Sequence, residues 1–320
     1  MASGLSEFFG NFMVDRNFSD PSPVLIGMLQ RWGRQHWVPF GIRDRLLRFF
    51  ADPDRLRSMP FECEFAGLRY RGDLASYIDW AVHFYGVYEP GILAFLRDVA
   101  SIAGHDSVFV DVGANVGLHS IYMSPRVAHV HAFEPWSVLH AALRHNIDIN
   151  SLTNISIYPY GLGDANAEIQ FHVPSTANLG TGGYIAGVSL NRPAETLPVR
   201  RGDDIFAAAG IKRIDIVKID TEGYEMKILS GMRETLARLE PIVVLEISPA
   251  TFMDRSTEAQ LASNLMNAIG EGWRIFRLTG MENYRIEDFS YAEGEIVTAV
   301  LVPTLKISNL PRSGHWRNDS

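Results

Sequence analysis

The chain has 320 residues, 47% hydrophobic and 21% charged, with a formal net charge of −8 and a single cysteine, Cys63. Such a composition can bury a sizeable core, and it excludes an internal disulfide framework and any Cys-rich zinc site. Without a long Lys/Arg run or an apolar stretch of spanning length, it gives no support to nucleic-acid or membrane partners. The N-terminus lacks the basic start and apolar core of a secretion signal, so a cytoplasmic location is expected.

Residues up to about Asp54 are rich in aromatics, arginine and Pro/Gly punctuation. Helical patterns cover 24–32 and 42–50. The second gathers Ile42, Leu46, Phe49 and Phe50 near one face, with Arg43, Asp44 and Arg48 elsewhere. A helical cap packed on the main domain accounts for this region; a surface for homo-oligomerisation or for a substrate carrier is the alternative use of its aromatics. Residues 61–70 alternate as a hairpin with Gly67 at the turn. The expected organisation is an N-terminal helical/hairpin extension (1–74), a main domain (75–310) and a polar, flexible tail (311–320).

Tyr77, Trp80, Ala81, Phe84 and Tyr88 fall at helical spacing. Such a stripe is core material first, and Tyr88 at its end is a candidate for stacking on an acceptor ring. Glu89 precedes a helix over 91–100. It reads either as an acid favoured by the helix dipole or as a carboxylate for a ligand's ammonium.

The helix leads into S-V-F-V-D-V-G-A-N-V-G at 107–117. A short apolar strand ends in Asp111, then Gly113, Asn115 and Gly117 open a helix. This is how α/β folds bring backbone close to a nucleotide at a helix N-terminus. The dinucleotide pattern G-x-G-x-x-G is absent. G-x-N-x-G after an acid suits a ligand with no phosphate but with a carboxylate, an ammonium and a ribose, and S-adenosylmethionine has those groups. The strand at 128–133 ends in Glu134, where an acid can chelate a ribose diol. An NAD(P)-dependent oxidoreductase shares this last feature and stands as the alternative from another enzyme class.

Beyond a helix at 136–149, a third strand at 155–160 closes in Gly161-Leu162-Gly163-Asp164, which places Gly163 and Asp164 beside the adenine. Residues 168–173 alternate like a short strand with His172 on its polar side. The unpatterned 174–198 reads as a lid or acceptor-binding loop, with Asn178 its polar candidate. A strand at 199–204 and a helix at 205–209 follow. The fourth buried strand, 214–219, ends in Lys218-Ile219-Asp220-Thr221-Glu222-Gly223-Tyr224-Glu225. One helix spans 224–239, a fifth strand containing Glu246 spans 242–247, and a helix covers 258–269. Strands at 273–278 and 296–302 have no helix between them. The fold class is therefore α/β: a mostly parallel, Rossmann-like sheet with an antiparallel C-terminal edge hairpin.

Acids stand at successive strand ends: Asp111, Glu134, Asp164, Asp220 with Glu222, and Glu246. Ligands bind outside those ends in open α/β sheets, although any single acid there can be a cap. Methyl transfer from a sulfonium is an in-line displacement, so the protein positions the nucleophile and handles its proton. Asp220, Glu222 and His172 are the candidates for that role. A divalent metal on Asp220, Glu222 and Glu246 fits carboxylate chemistry but no known ligand-loop pattern, and none is expected.

V-F-V-D-V-G-A-N-V-G, H-A-F-E-P, Y-G-L-G-D and V-K-I-D-T-E-G-Y-E-M-K-I-L-S-G, in this order, resemble the FkbM family of S-adenosylmethionine-dependent methyltransferases over about 84–247. The upstream Tyr-Gly-Val-Tyr-Glu is similar to that family as well. The resemblance implies a class I methyltransferase fold. It further implies a cofactor site lined by Glu89, Asp111, Gly113, Asn115, Glu134, Asp164 and Asp220, with Glu222 near the acceptor. It implies O-methylation of a sugar or natural-product hydroxyl; some similar enzymes act on a peptide amide nitrogen. The acceptor would then be a small molecule, glycan or peptide.

Overall fold

The computed structural model describes residues 20–35, 37–172, 194–221, 223–248, 258–292 and 294–317. Helix α1 (Pro23–Gly33) starts at Ser22, whose side chain accepts from the Leu25 N–H, with Pro23 at the first helical position. Helix α2 (Phe40–Ala51) follows. It buries Arg43, Leu47 and Ala51 and leaves Ile42, Leu46, Phe49 and Phe50 exposed, the reverse of the face expected from hydrophobicity. The inversion has a local cause. Gly33 lies so close to the backbone of helix α3 (Tyr77–Tyr85) that a Cβ would meet the Phe84 carbonyl at 2.6 Å, and Leu47 seats in the same notch. Arg43 donates to the Gly33 carbonyl at 2.7 Å. A small core of Ile26, Leu29, Leu47, Trp80 and Phe84 results, drawing on both sides of residue 74.

Strands β1 (Pro60–Phe65) and β2 (Leu68–Asp73) form the expected hairpin, its turn made by Ala66 and Gly67 at positive φ. Helix α4 (Pro90–Ala103) then enters the main sheet through β3 (Val108–Val112). After β3 come α5 (Leu118–Met123), β4 (His129–Phe133), α6 (Ser137–Asp148) and β5 (Ile155–Tyr158). Three short strands, β6 (Gly161–Gly163), β7 (Ala167–His172) and β8 (Ala194–Arg201), make a separate sheet in the order β6-β8-β7. Residues 194–198, assigned to a loop from the sequence, are thus strand, with Pro198 opposite Glu168. Proline is tolerated there because β6 pairs with β8 only from Val199 onward, so Pro198 has a strand partner on one side alone.

Helix α7 (Gly202–Ala208) and β9 (Ile216–Ile219) come next. The single helix expected over 224–239 is two, α8 (Glu225–Gly231) and α9 (Arg233–Leu239). The break lies where Gly231 touches β6: a Cβ there would sit 1.8 Å from the Gly163 carbonyl oxygen. Strand β10 (Ile242–Ile247), helix α10 (Glu258–Ile269) and strands β11 (Trp273–Thr279), β12 (Asn283–Asp288), β13 (Val297–Pro303) and β14 (Ser313–His315) complete the fold.

The large sheet has the order β14-β12-β11-β13-β10-β9-β3-β4-β5. Its β10-β9-β3-β4-β5 half is parallel, and β13 inserts antiparallel between β10 and β11. This is the class I methyltransferase arrangement, with an antiparallel edge longer than the expected hairpin because β12 and β14 extend it. Trp316, placed in the tail on sequence grounds, stacks on Phe65. Both faces of the sheet are covered. Helices α4, α5 and α6 bury Leu93, Ile121 and Leu143 on one face, and α7 to α10 bury Phe206, Leu229, Leu236 and Leu265 on the other. No described helix is long and apolar enough to cross a membrane.

The contact between Gly231 and Gly163 fixes the small sheet to the large one. Gly231→Ala is expected to lower stability by about 1–3 kcal/mol through overpacking, read as a shift of the urea midpoint; an unchanged midpoint contradicts this packing.

Candidate active site

The turn between β3 and α5 is shaped by three residues at positive φ, Gly113, Asn115 and Gly117. Gly113 is fixed by crowding: a Cβ would meet the Asp220 carbonyl oxygen at 2.0 Å. The end of β9 therefore presses directly on the turn. Gly117 allows the same closeness to Leu143 of α6. The Gly113 and Ala114 N–H groups both donate to the Phe133 carbonyl at 3.0 Å, tying the turn to the end of β4.

One residue further on, Glu134 completes this tie. Its carboxylate accepts from the Asn115 and Trp136 N–H groups, each at 2.9 Å. Burial pushes its pKa up to about 7, with the Asp111 charge adding and the two N–H bonds opposing. Asp111 itself is buried beneath the turn, where one oxygen accepts from Ser120 Oγ at 2.6 Å and the other has no hydrogen-bond partner among the described residues.

Turn and strand ends together line a cavity of about 250 Å³, to which Gly113, Asn115, Glu134, Lys218, Asp220 and Glu246 contribute. Lys218 is buried and donates to Asp220 at 2.8 Å. Burial alone would lower the ammonium's pKa, but the charges of Asp220, Glu89 and Asp111 outweigh it and raise it. Burial would likewise raise Asp220, yet the charge and hydrogen bond of Lys218 hold it below the usual carboxylate range.

Glu89 reaches the same place from the start of α4. It takes a left-handed backbone (φ 49°, ψ 52°), followed by Pro90 at the first helical position, and its Oε2 lies 3.2 Å from His119 Nε2. The carboxylates of Glu89, Asp220 and Glu246 lie within 4.8 Å of one another. Burial, and then these three charges, push the Tyr88 phenol well above its ordinary pKa, so it is neutral.

Residues 111–266 match the family model of the methyltransferase FkbM domain. The chain carries an FkbM methyltransferase domain. It is 29% identical over 173 residues to the hexuronic acid methyltransferase AglP of Haloferax volcanii, a match covering 53% of this chain and 70% of AglP. It is 30% identical over 173 residues to the 31-O-demethyl-FK506 methyltransferase FkbM of Streptomyces tacrolimicus, covering 44% of this chain and 64% of that one. A crystal structure of methyltransferase FkbM from Methylobacillus flagellatus KT aligns at 18% identity with a TM-score of 0.38, covering 61% of this chain and 44% of that chain. The chain thus spans less than two-thirds of the length of the last two.

The cofactor of the FkbM domain is S-adenosylmethionine, which sets the oxidoreductase alternative aside. The residues fit it. Three carboxylates cluster where only Asp220 is bonded to Lys218, so the cavity favours a cationic ligand, and Glu134 offers a buried acceptor at the neighbouring strand end. The same trio could share a divalent cation, but Lys218 already holds one Asp220 oxygen, and such ions take six or more oxygens.

Glu89, Gly113, Asn115, Glu134, Asp220, Glu246 and Tyr88 come together around this site, whereas Asp111 and Gly117 support it from behind. Gly163 lies off the cavity, its Cα against Val199 and the Tyr224 ring, and Asp164 is exposed in the turn after β6. The chain leaves the large sheet at Tyr158, so this segment packs the small sheet instead of ending a core strand. His172 is the last residue of β7, opposite Ala194; its side chain, Glu222 and Asn178 lie outside the described residues.

Sequence reasoning passed over Lys218, His119 and Glu225 as site residues. A lysine inside the buried strand I-V-K-I was the available signal. Glu225 is buried and accepts from the Thr221 and Gly223 N–H groups and from Thr221 Oγ1, so it shapes the turn after Asp220.

A carboxyl raised from 4.5 to about 7 binds its proton more tightly in the folded state. The stability it contributes is full below about pH 4.5 and is lost as pH rises through about 7, on the order of 3 kcal/mol at 1.36 kcal/mol per unit. Glu134→Gln is expected to remove this slope from urea unfolding of the ligand-free protein between pH 4.5 and 8; equal slopes in the two proteins contradict it.

Proposed function

We propose that this protein transfers a methyl group from S-adenosylmethionine to a hydroxyl of a sugar or natural product. The observation that carries the reading is the meeting of Glu89, from the start of α4, with Asp220 and Glu246, from two strand ends beside the glycine turn, Asp220 being paired with the buried Lys218. AglP and the Streptomyces FkbM enzyme, named for a hexuronic acid and for an O-demethylated macrolide, support a hydroxyl-bearing acceptor.

When bound, the cofactor supplies a methyl carbon attached to a positively charged sulfur. In this reading the Asn115 turn lets the nucleoside approach the backbone, and Glu134 accepts from the ribose hydroxyls. Glu89 accepts from the amino group. Asp220 accepts a hydrogen bond from the acceptor hydroxyl, which aims an oxygen lone pair along the line of displacement.

Lys218 holds Asp220 ionised and thereby makes it a weak base. That suits the reaction. As the new C–O bond forms, the hydroxyl proton becomes strongly acidic, and a weak carboxylate base then suffices to take it. The balance would be a methyl ether and the demethylated cofactor, with Asp220 holding the proton released by the hydroxyl.

Asp220→Asn is expected to cut turnover at least 100-fold while changing the affinity for S-adenosylhomocysteine less than five-fold. The measurements are methyl transfer from labelled S-adenosylmethionine into a panel of glycosides and polyketides, and calorimetric titration. Equal losses in both would reassign Asp220 to cofactor binding. An acceptor modified at nitrogen would overturn the hydroxyl reading.

A further inference from the structure

A second cavity, of about 540 Å³, lies between the N-terminal helices and the turn joining β11 to β12. Its size is that of a small-molecule site, about 300–1,000 Å³. It shares the walls Tyr77 and Tyr88 with the first cavity. Glu89 also lines it, and the Glu89 carboxylate lies within 4.8 Å of those of Asp220 and Glu246, which line the first. The two cavities therefore meet at the carboxylate cluster. Close packing holds the junction in place: a Cβ on Gly91 would come within 2.5 Å of the Gly280 carbonyl oxygen in the β11–β12 turn.

We propose that this second cavity is the acceptor site, and that Arg43 selects an acceptor carrying a carboxylate on the molecule whose hydroxyl is methylated. The proposal rests on the methyl-transfer reading above and adds the class of acceptor.

Arg43 lines the cavity and is only 3% exposed. Its Nη1 is engaged by the Gly33 carbonyl at 2.7 Å, but its Nε has no hydrogen-bond partner among the described residues. Among the described residues its ion-pair partner is Glu282, whose Oε1 stands 3.8 Å from Nη2 on a side chain that is half exposed. A guanidinium so deeply buried and so loosely paired is a charge awaiting a partner. The rings of Phe40 and Tyr85 lie 5.8 Å and 5.9 Å from its Cζ, at cation–π distance. A planar fork matches a carboxylate in two parallel hydrogen bonds. Glu282 and Glu89 line the same cavity, so a monoanion suits it better than a doubly charged phosphate. Arg43 and Glu89 belong to one small cavity, which lets a single sugar-sized molecule present its carboxylate to the first and its hydroxyl to the carboxylates around the second. Arg43 lies outside residues 111–266, so this selection comes from the extension and not from the family domain.

The test is calorimetric titration of the full chain saturated with S-adenosylhomocysteine. The probes are methyl β-D-glucuronide, methyl β-D-glucoside and methyl β-D-glucoside 6-phosphate. The glucuronide should bind at least ten-fold more tightly than either of the others. Arg43→Lys, which keeps the charge and a donor for Gly33, should reduce that preference to three-fold or less. Glu282→Gln, at an exposed position, should tighten the glucuronide by a few-fold. Met281→Trp, at the exposed rim, should weaken it at least ten-fold with S-adenosylhomocysteine affinity unchanged. A preference for the glucoside or the phosphate, no glucuronide binding at 20 mM, or an intact preference in Arg43→Lys overturns the proposal. The titration of S-adenosylhomocysteine alone separates the two readings. If the wild-type protein does not bind it, the methyl-transfer reading fails; if it binds while the glucuronide result fails, only the acceptor assignment falls.

Discussion

The pairing of Lys218 with Asp220 is the constraint around which the site is arranged. β9 lies between β3 and β10, so the last residues of β9 touch everything that matters. The Asp220 carbonyl presses on Gly113, and the Asp220 side chain holds Lys218. An ammonium buried this deeply costs several kcal/mol unless acids surround it, and here Glu89, Asp111 and Asp220 do. Removing the lysine would leave several carboxylates crowded together without a cation. Removing Asp220 would leave the lysine short of its bonded partner. The pair thus sets both the shape of the glycine turn and the charge of the cavity beside it.

Around that pair the chain divides its work by layer. The parallel half of the sheet delivers the turn after β3, Glu134 after β4 and Asp220 after β9. The other cavity is built from different material: α2 and α3 of the extension, the start of α4, and the turn of the antiparallel β11–β12 pair. Glu89 stands where the two meet. Its left-handed backbone turns the chain from α3 into α4 with the carboxylate pointed at Asp220 and Glu246. A non-glycine residue in that conformation costs on the order of 1 kcal/mol, and such costs collect at functional sites.

Close backbone contacts at glycine do the mechanical work. Gly33 lets α1 touch α3, Gly91 lets α4 touch the β11–β12 turn, and Gly231 lets α8 touch β6. Each replaces a layer of side chains with direct backbone contact. The extension, the antiparallel edge and the small sheet are thereby locked to the large sheet close to the site. Gly163 takes part in the last of these contacts.

The sequence by itself determined the parallel strands, the glycine turn, and the acids Asp111, Glu134, Asp220 and Glu246, because period-2 and period-3.6 patterns and strand-end chemistry are local signals. It did not reveal that α2 turns its arginine inward, since hydrophobicity on one helix cannot register a notch made by Gly33 on another. Nor could it show the split between α8 and α9, or that β12 and β14 extend the edge, for both depend on partners distant in the chain. That Glu89 meets Asp220 and Glu246, and that Arg43 shares a cavity with Glu89, was decided by tertiary structure alone. Sheet order and helix docking set those distances, and no spacing along the chain encodes them.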